Sequence, residues 1–190
     1  MLINDNCKMS SSLDICLKQG PNDIYVPVKG IVTLKLTDSE GNVLCTENHN
    51  EIIYLGRHRV AHILFGDTTV PAGETVIGTL KVAGSAVAEG GDHFSPTAPA
   101  VTDSGMFEID PAKIKTFTFD APVFTEIKST EAPIVTLTKT VVCTDVNLLV
   151  NEFGAFFGST GPMFAHYTCS TLDLRESAGT GLEIIWQFLL

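Results

Sequence analysis

From Gly30 the chain alternates apolar and polar positions, with Val32, Leu34 and Leu36 set against Thr33, Lys35 and Thr37. A period of two sends successive side chains to opposite faces of a strand, so this stretch predicts a half-buried strand. The turn-forming run "DSEGN" and then "VLCTE" complete a hairpin. Similar rhythms predict strands at 77–83, at 113–119 with Phe117 and Phe119 on one face, and at 134–143, where Val135, Leu137, Val141 and Cys143 oppose Thr136, Thr138 and Thr140. Further strands are expected at 147–157, 163–170 and 182–189. The last is the most apolar: Leu182, Ile184, Trp186 and Phe188 share a face with Leu190, while Glu183 and Gln187 lie among Ile185 and Leu189 on the other. Burying each side chain of this kind is worth roughly 1.5–3 kcal/mol, so the segment is expected to close a sheet. The residues Gly179, Thr180 and Gly181 before it predict a turn and an antiparallel return.

The period changes once. In "HNEIIYLGRHRVAHILFGD", Val60, Ala61, Leu64 and Phe65 recur at three- and four-residue steps in register with Ile53, and Gly66 supplies a stop. This predicts one short helix at about residues 55–65. Its apolar stripe should cover a sheet, leaving Arg57, His58, Arg59 and His62 facing outward or toward a partner. Between Gly73 and Gly105 the chain is rich in Gly, Ala, Thr, Ser and Pro, and "DHFSPTAPAVTDSG" predicts a long loop of the kind that contacts something. Gly154 inside "VNEFGAFF" marks a bulge or a close backbone approach. Residues 1–25 are mostly polar and lead through Pro21 to Pro27, so they predict an N-terminal arm, able to lie on a neighbouring subunit. Residues 26–190 are then a single β-rich domain. The expected fold is mainly β, an antiparallel β-sandwich-like domain with one short α-helix and an extended N-terminal arm.

Composition sharpens this outline. A chain of 190 residues suffices for one core. With 44% apolar and 18% charged residues it is ordered and sparsely charged at its surface, which suits a surface partly covered by other subunits. A net charge of −10, with Arg57, Arg59 and Arg175 the only arginines, argues against a nucleic-acid partner. No apolar run approaches the roughly 18 residues of a membrane span, and the amino terminus has neither the basic start nor the apolar stretch of a signal peptide. No membrane partner is expected, and synthesis in cytosol-like conditions is.

The 5 cysteines, Cys7, Cys16, Cys45, Cys143 and Cys169, include no C-x-x-C pair, which removes zinc ribbons and thioredoxin-type chemistry. Cys45, Cys143 and Cys169 fall on predicted strands and are expected to be small buried hydrophobes. Cys7 and Cys16 lie on the arm and are candidates for an intersubunit disulfide. No nucleophile elbow, phosphate-binding Gly-rich motif or H-E-x-x-H helix occurs. His58 and His62 stand one helical turn apart, but Arg59 follows His58 and the sequence offers no third ligand, so they are assigned to a solvated or partner-facing helix face. Gly84, Gly90 and Gly91 lie beside Glu89 and Asp92 and not beside a cation, so they predict a plain loop, not a phosphate cradle. Glu108 and Asp110, two apart with no flanking His or Lys, are expected to be solvated charges on one face of a strand. The residues thus predict a protein that is not an enzyme, with no cofactor, no metal and no small-molecule substrate.

Three blocks, taken in order, resemble virion structural proteins of tailed bacteriophages, especially small tail, baseplate or collar proteins and tail-fibre attachment domains. They are "NEIIYLGRHRVAHILFGD", "LKVAGSAVAEGGDHFSPTAPAVTDSG" and, most specific, "VNLLVNEFGAFFGSTGPMFAHYTCSTLDLRESAGTGLEIIWQFLL". In the third, Asn151, Glu152, Phe153 and Gly154 through Phe157, then Met163, Phe164 and Ala165, then the closing Trp186 strand follow that pattern's order. His166 replaces a frequent Arg, and Cys169 a larger apolar residue. The resemblance covers about residues 49–190. It implies a virion location after synthesis in the host cytoplasm, self-association, and docking to other virion proteins of the tail, neck or baseplate. It also implies that the edge of the last strand faces a neighbour. A capsid decoration (cement) protein is the alternative, and a carbohydrate-binding or hydrolytic β-sandwich is the third reading, against which the one tryptophan, Trp186, is marked as core by its strand position.

Overall fold

The computed structural model describes residues 13–16, 25–37, 40–85, 98–100, 102–125, 134–175 and 181–189. Its strands are β1 (Leu13–Cys16), β2 (Tyr25–Thr37), β3 (Val43–Ile52), β4 (Ile77–Ser85), β5 (Ile114–Thr118), β6 (Val123–Thr125), β7 (Ile134–Val142), β8 (Leu148–Phe157), β9 (Met163–Leu174) and β10 (Gly181–Leu189). Helix α1 spans Tyr54–Leu64 and the single turn α2 spans Cys143–Val146. The strands form one antiparallel sheet in the order β5-β4-β8-β9-β3-β2-β10-β7-β6, with β1 added to β2. The sheet curls like a sandwich because β3 serves both halves. Its residues 43–50 pair with β2, and its last two, Glu51 and Ile52, pair with His166 and Ala165 of β9.

The alternation seen in the sequence sets the inside of the curl. Along β10, Leu182, Ile184, Trp186 and Phe188 are buried, and the residues between them are half-buried. They meet Val32, Leu34, Leu137 and Val141 from the adjoining strands and Leu80, Val82, Phe153 and Phe164 from the opposite half. Phe188 packs edge-on against Phe164 with centroids 5.0 Å apart, and Trp186 against Phe119 at 6.4 Å. β10 does not, however, present an edge. It pairs with β2 along one side and β7 along the other, each over residues 181–189, so the implied neighbour-facing edge is corrected to a central position. A strand with apolar residues on both faces is more stably placed between two others than at a rim.

Every residue of β8 is buried, because both its faces are covered. Val150, Phe153, Ala155 and Phe157 join the main core. On the opposite face Phe156 packs with Ile53 and Met163 beneath Met106, a residue of the strandless segment before β5. Gly154 shows the close approach expected of it: a Cβ there would lie 2.6 Å from the Phe156 ring and 2.7 Å from Met106 Sδ. Gly84 is also a close-approach glycine, on β4, where a Cβ would meet Leu149 O at 1.8 Å, so the expected loop begins after it. Gly90 and Gly91 lie outside the described residues.

Three expectations change. Part of the predicted arm is β1, paired antiparallel with Tyr25–Val28; the four-residue alternation Leu-Asp-Ile-Cys was hidden in a polar context. The apolar stripe of α1 is not Ala61, Leu64 and Phe65, which are exposed, with Phe65 90% accessible. Gly56 is the buried residue of the helix, Val60 and Ile63 pack on the core beside it, and a Cβ at position 56 would stand 2.4 Å from Phe164 Cα. The missing side chain lets the helix approach β9 closely, and that approach rotates the face that touches the sheet. Finally, Cys45 is exposed on β3 and Cys169 half-buried on β9, while Cys143 is buried but opens α2 and is not on a strand.

Candidate functional site

β3 and β9 share only the two rungs at Glu51 and Ile52, and beyond them they diverge. Between them lies an open cleft of about 820 Å³, with Leu34 and Leu44 on one side and Tyr167, Cys169 and Leu172 on the other. Among the described residues no strand pairs with the outer edge of β3 over 43–50, and its first two residues, Val43 and Leu44, are 60% and 58% accessible. Exposed apolar residues on a free edge favour pairing with another chain, and folded proteins usually protect against it. Two polar groups sit inside the cleft. Asn48 donates from Nδ2 to the Tyr167 hydroxyl at 2.9 Å, and the buried Asn50 Oδ1 has no hydrogen-bond partner among the described residues. Burial raises the Tyr167 hydroxyl above the ordinary tyrosine range and pushes the Cys169 thiol up to about 12, so neither is an ionised nucleophile at neutral pH.

The four basic residues of α1 do not form one outward face. Arg57 donates from Nε and Nη2 to Ile52 O at 3.2 and 3.1 Å, tying the helix to the end of β3. Arg59 pairs with Glu74 at 3.0 Å. His62 turns Nδ1 to Asp67 Oδ2, and its Nε2 lies 3.4 Å from His58 Nε2. Asp67 is itself fixed through Oδ1, which accepts from Thr69 N at 2.8 Å and from Thr69 Oγ1 at 2.7 Å. The bond from His62 and those from Thr69 lower the Asp67 carboxyl to about 2. Of the four only His58 is exposed, and His58, Arg59 and His62 border a smaller cleft of about 320 Å³ with Leu55, Val70 and Pro162.

A third group lay beyond reach of the sequence patterns. His166 is fully buried on β9, with Nε2 2.8 Å from Glu152 Oε1 and Nδ1 2.9 Å from Asp103 Oδ2. Glu152, also fully buried, accepts from Phe107 N at 2.5 Å and from Glu108 N at 3.1 Å. The Phe107 ring covers the imidazole at 4.7 Å between centroids. Each imidazole nitrogen thus faces one carboxylate oxygen, Nε2 that of Glu152 and Nδ1 that of Asp103. Nearby, burial raises the Glu51 carboxyl, with Asp103 adding to the rise and Arg57 opposing it. The arrangement fastens the segment carrying Asp103 and Phe107 to the outer face of β8 and β9. With His166 and Glu152 fully buried and Asp103 13% accessible, the cluster holds a loop in place.

The remaining predicted residues are now placed. Glu108 is buried and accepts from Asp110 N at 2.9 Å, and Asp110 caps the turn at Pro111–Lys113 by accepting from Ala112 N. They are therefore not paired solvated charges on a strand; Pro111 stops strand formation there. Trp186, the one tryptophan of the chain, is fully buried and cannot serve as a sugar platform. Cys7 lies outside the described residues, as does the side chain of Cys16 on β1. Among the described residues no helix is long and apolar enough to cross a membrane, and no three His, Cys, Asp or Glu gather as a metal cluster. No protein-family model, curated protein or solved structure matches the chain.

Proposed function

We propose that this protein is a structural assembly component of a tailed-bacteriophage particle, of the tail, neck or baseplate type, and that it works by joining copies of itself and docking to other virion proteins, not by catalysis. The observation that carries the reading is the edge of β3 over 43–50, unpaired among the described residues, with exposed Val43 and Leu44 beside the cleft. A strand from a second copy fits this place chemically: it would satisfy the edge amides and carbonyls and lay alternate apolar side chains against Leu44, Tyr167 and Leu172. Phe65 and Ile109, 90% and 88% accessible, add apolar surface of the kind that subunit contacts cover. The resemblance of residues 49–190 to virion proteins supplies the setting.

The test is the solution mass by light scattering, with and without reductant, for the native chain, for Leu44→Lys and for a Cys7→Ser, Cys16→Ser double variant. Leu44 is largely exposed, so a lysine there leaves the core intact. The expected result is an oligomer that Leu44→Lys shifts to the monomer. Loss of the native oligomer on reduction, or in the double variant, would assign the arm cysteines to the same assembly. A native monomer under both conditions, or an oligomer indifferent to Leu44→Lys, refutes self-association through this edge.

A further inference from the structure

His62 Nε2 and His58 Nε2 face each other at 3.4 Å, a separation that a hydrogen bond between the rings or a shared ion would each suit. Tetrahedral zinc holds nitrogen ligands at about 2.0–2.1 Å, which places two of them about 3.3 Å apart. His58 and His62, one turn apart on α1, already have that separation through their Nε2 atoms. The ring centroids are 4.4 Å apart and tilted by 49°, so the rings converge at one edge and are not stacked flat. The second ring nitrogen of His62 meets Asp67, whose other oxygen is held twice by Thr69. A carboxylate on Nδ1 fixes the proton there and turns the Nε2 lone pair outward, the arrangement that usually backs a metal-bound histidine.

The setting accepts a cation. Of the two arginines that flank His58, Arg59 pairs with Glu74, which also accepts from Thr160 Oγ1 at 3.0 Å, and Arg57 is turned to Ile52 O. The adjoining cleft of about 320 Å³ leaves room for further ligands. We propose that His58 and His62 form a two-histidine site for a borderline divalent transition-metal ion of the Zn²⁺ type, oriented through Asp67 and completed by water. Among the described residues no third side-chain ligand stands within reach, so the coordination sphere stays open on its outer side. Such an ion clamps the last turns of α1 and ties the helix to the Asp67 turn that follows it.

Zn²⁺ titrated into the full chain, followed by calorimetry and by the histidine side-chain ¹⁵N resonances, tests this. One ion should bind per chain and move the Nε2 signals of His58 and His62. His58→Gln and His62→Gln should each lose at least about tenfold in affinity, and Asp67→Asn about 10–100-fold, the loss usual when the carboxylate behind a ligand is removed. His58 is exposed, so its replacement leaves the fold intact, and the cysteines are common to all variants and cancel from the comparison. Absence of Zn²⁺ binding by the native chain, or native affinity in His58→Gln, overturns the site. Native affinity in Asp67→Asn overturns the role of Asp67. None of these outcomes depends on oligomeric state.

Discussion

Replacing Glu152 by glutamine leaves shape and volume unchanged, so its effect isolates the charge and the acceptors. Three donors converge on the two carboxylate oxygens: His166 Nε2 and Phe107 N on Oε1, and Glu108 N on Oε2. A glutamine keeps one oxygen and turns an amide NH₂ toward at least one of these N–H groups. The buried imidazole then loses one of its two carboxylates, and one backbone donor loses its acceptor. A buried donor left without its acceptor costs about 1–3 kcal/mol, more where a charged group is involved, and two donors are affected here. We therefore expect Glu152→Gln to lower stability by about 3–5 kcal/mol. For a chain of this size each kcal/mol moves the melting temperature by about 2–4 °C, so the loss is about 6–20 °C by calorimetry. Amide exchange supplies the local readout: Phe107 and Glu108 should lose protection ahead of the β10 amides. A melting temperature within about 2 °C of native, with unchanged exchange at those two amides, would refute the view that this cluster fastens the loop.

Trp186→Ala removes the largest fully buried side chain from a strand paired on both sides, and should cost about 3–5 kcal/mol in denaturant unfolding. Unchanged unfolding would show that β10 is dispensable. Gly56→Ala forces a methyl toward the Phe164 backbone, where no side-chain motion relieves the contact, and should cost about 1–3 kcal/mol and loosen α1; native stability would mean that the helix stands off further than described. For pH, the Asp67 carboxyl lies lower in the folded chain, at about 2, than its ordinary 3.8, so the unfolded chain binds the proton more readily between those values. Its contribution is complete above about pH 3.8 and fades as pH falls through about 2. Asp67→Asn should therefore be less stable than the native chain at neutral pH and converge with it in strong acid; a gap that widens on acidification would reverse the assignment.

How much of this was legible depended on range. Period-two patterns located β4, β5, β7, β8, β9 and β10 to within a few residues, and the later part of β2 and the first half of β3, because burial of one face is written locally in each strand. The helix was found but its face was not. Leu64 and Phe65 fit the apolar stripe by spacing, yet the absent side chain of Gly56 decides how the helix lies on β9, and absence of a side chain carries no weight in a count of apolar positions. The buried cluster was invisible for another reason: Asp103, Glu152 and His166 come from segments 63 and 14 residues distant from the histidine, and each alone is an ordinary polar residue. Asp67 was nearer, five residues after His62, but past the helix end, where no helical spacing points to it.

The cleft depends on a bend in β3 that the fold holds firmly. At the bend the Asn50 side chain lies over Gly30, where a Cβ would be 2.0 Å from Oδ1, and Asn50 Nδ2 donates to Glu51 O at 3.3 Å. One residue later Ile52 O accepts both bonds from Arg57, and Ile53 N donates to Phe164 O at 2.8 Å. These contacts fix the point at which β3 leaves β2 for β9, and hence the angle at which the two edges part. An edge held open in this way does not have to be ordered by whatever pairs with it. Binding that finds its surface already formed avoids part of the ordering entropy, which would otherwise subtract from affinity. A docking role for this edge therefore requires nothing of the cleft beyond the conformation the bend already imposes.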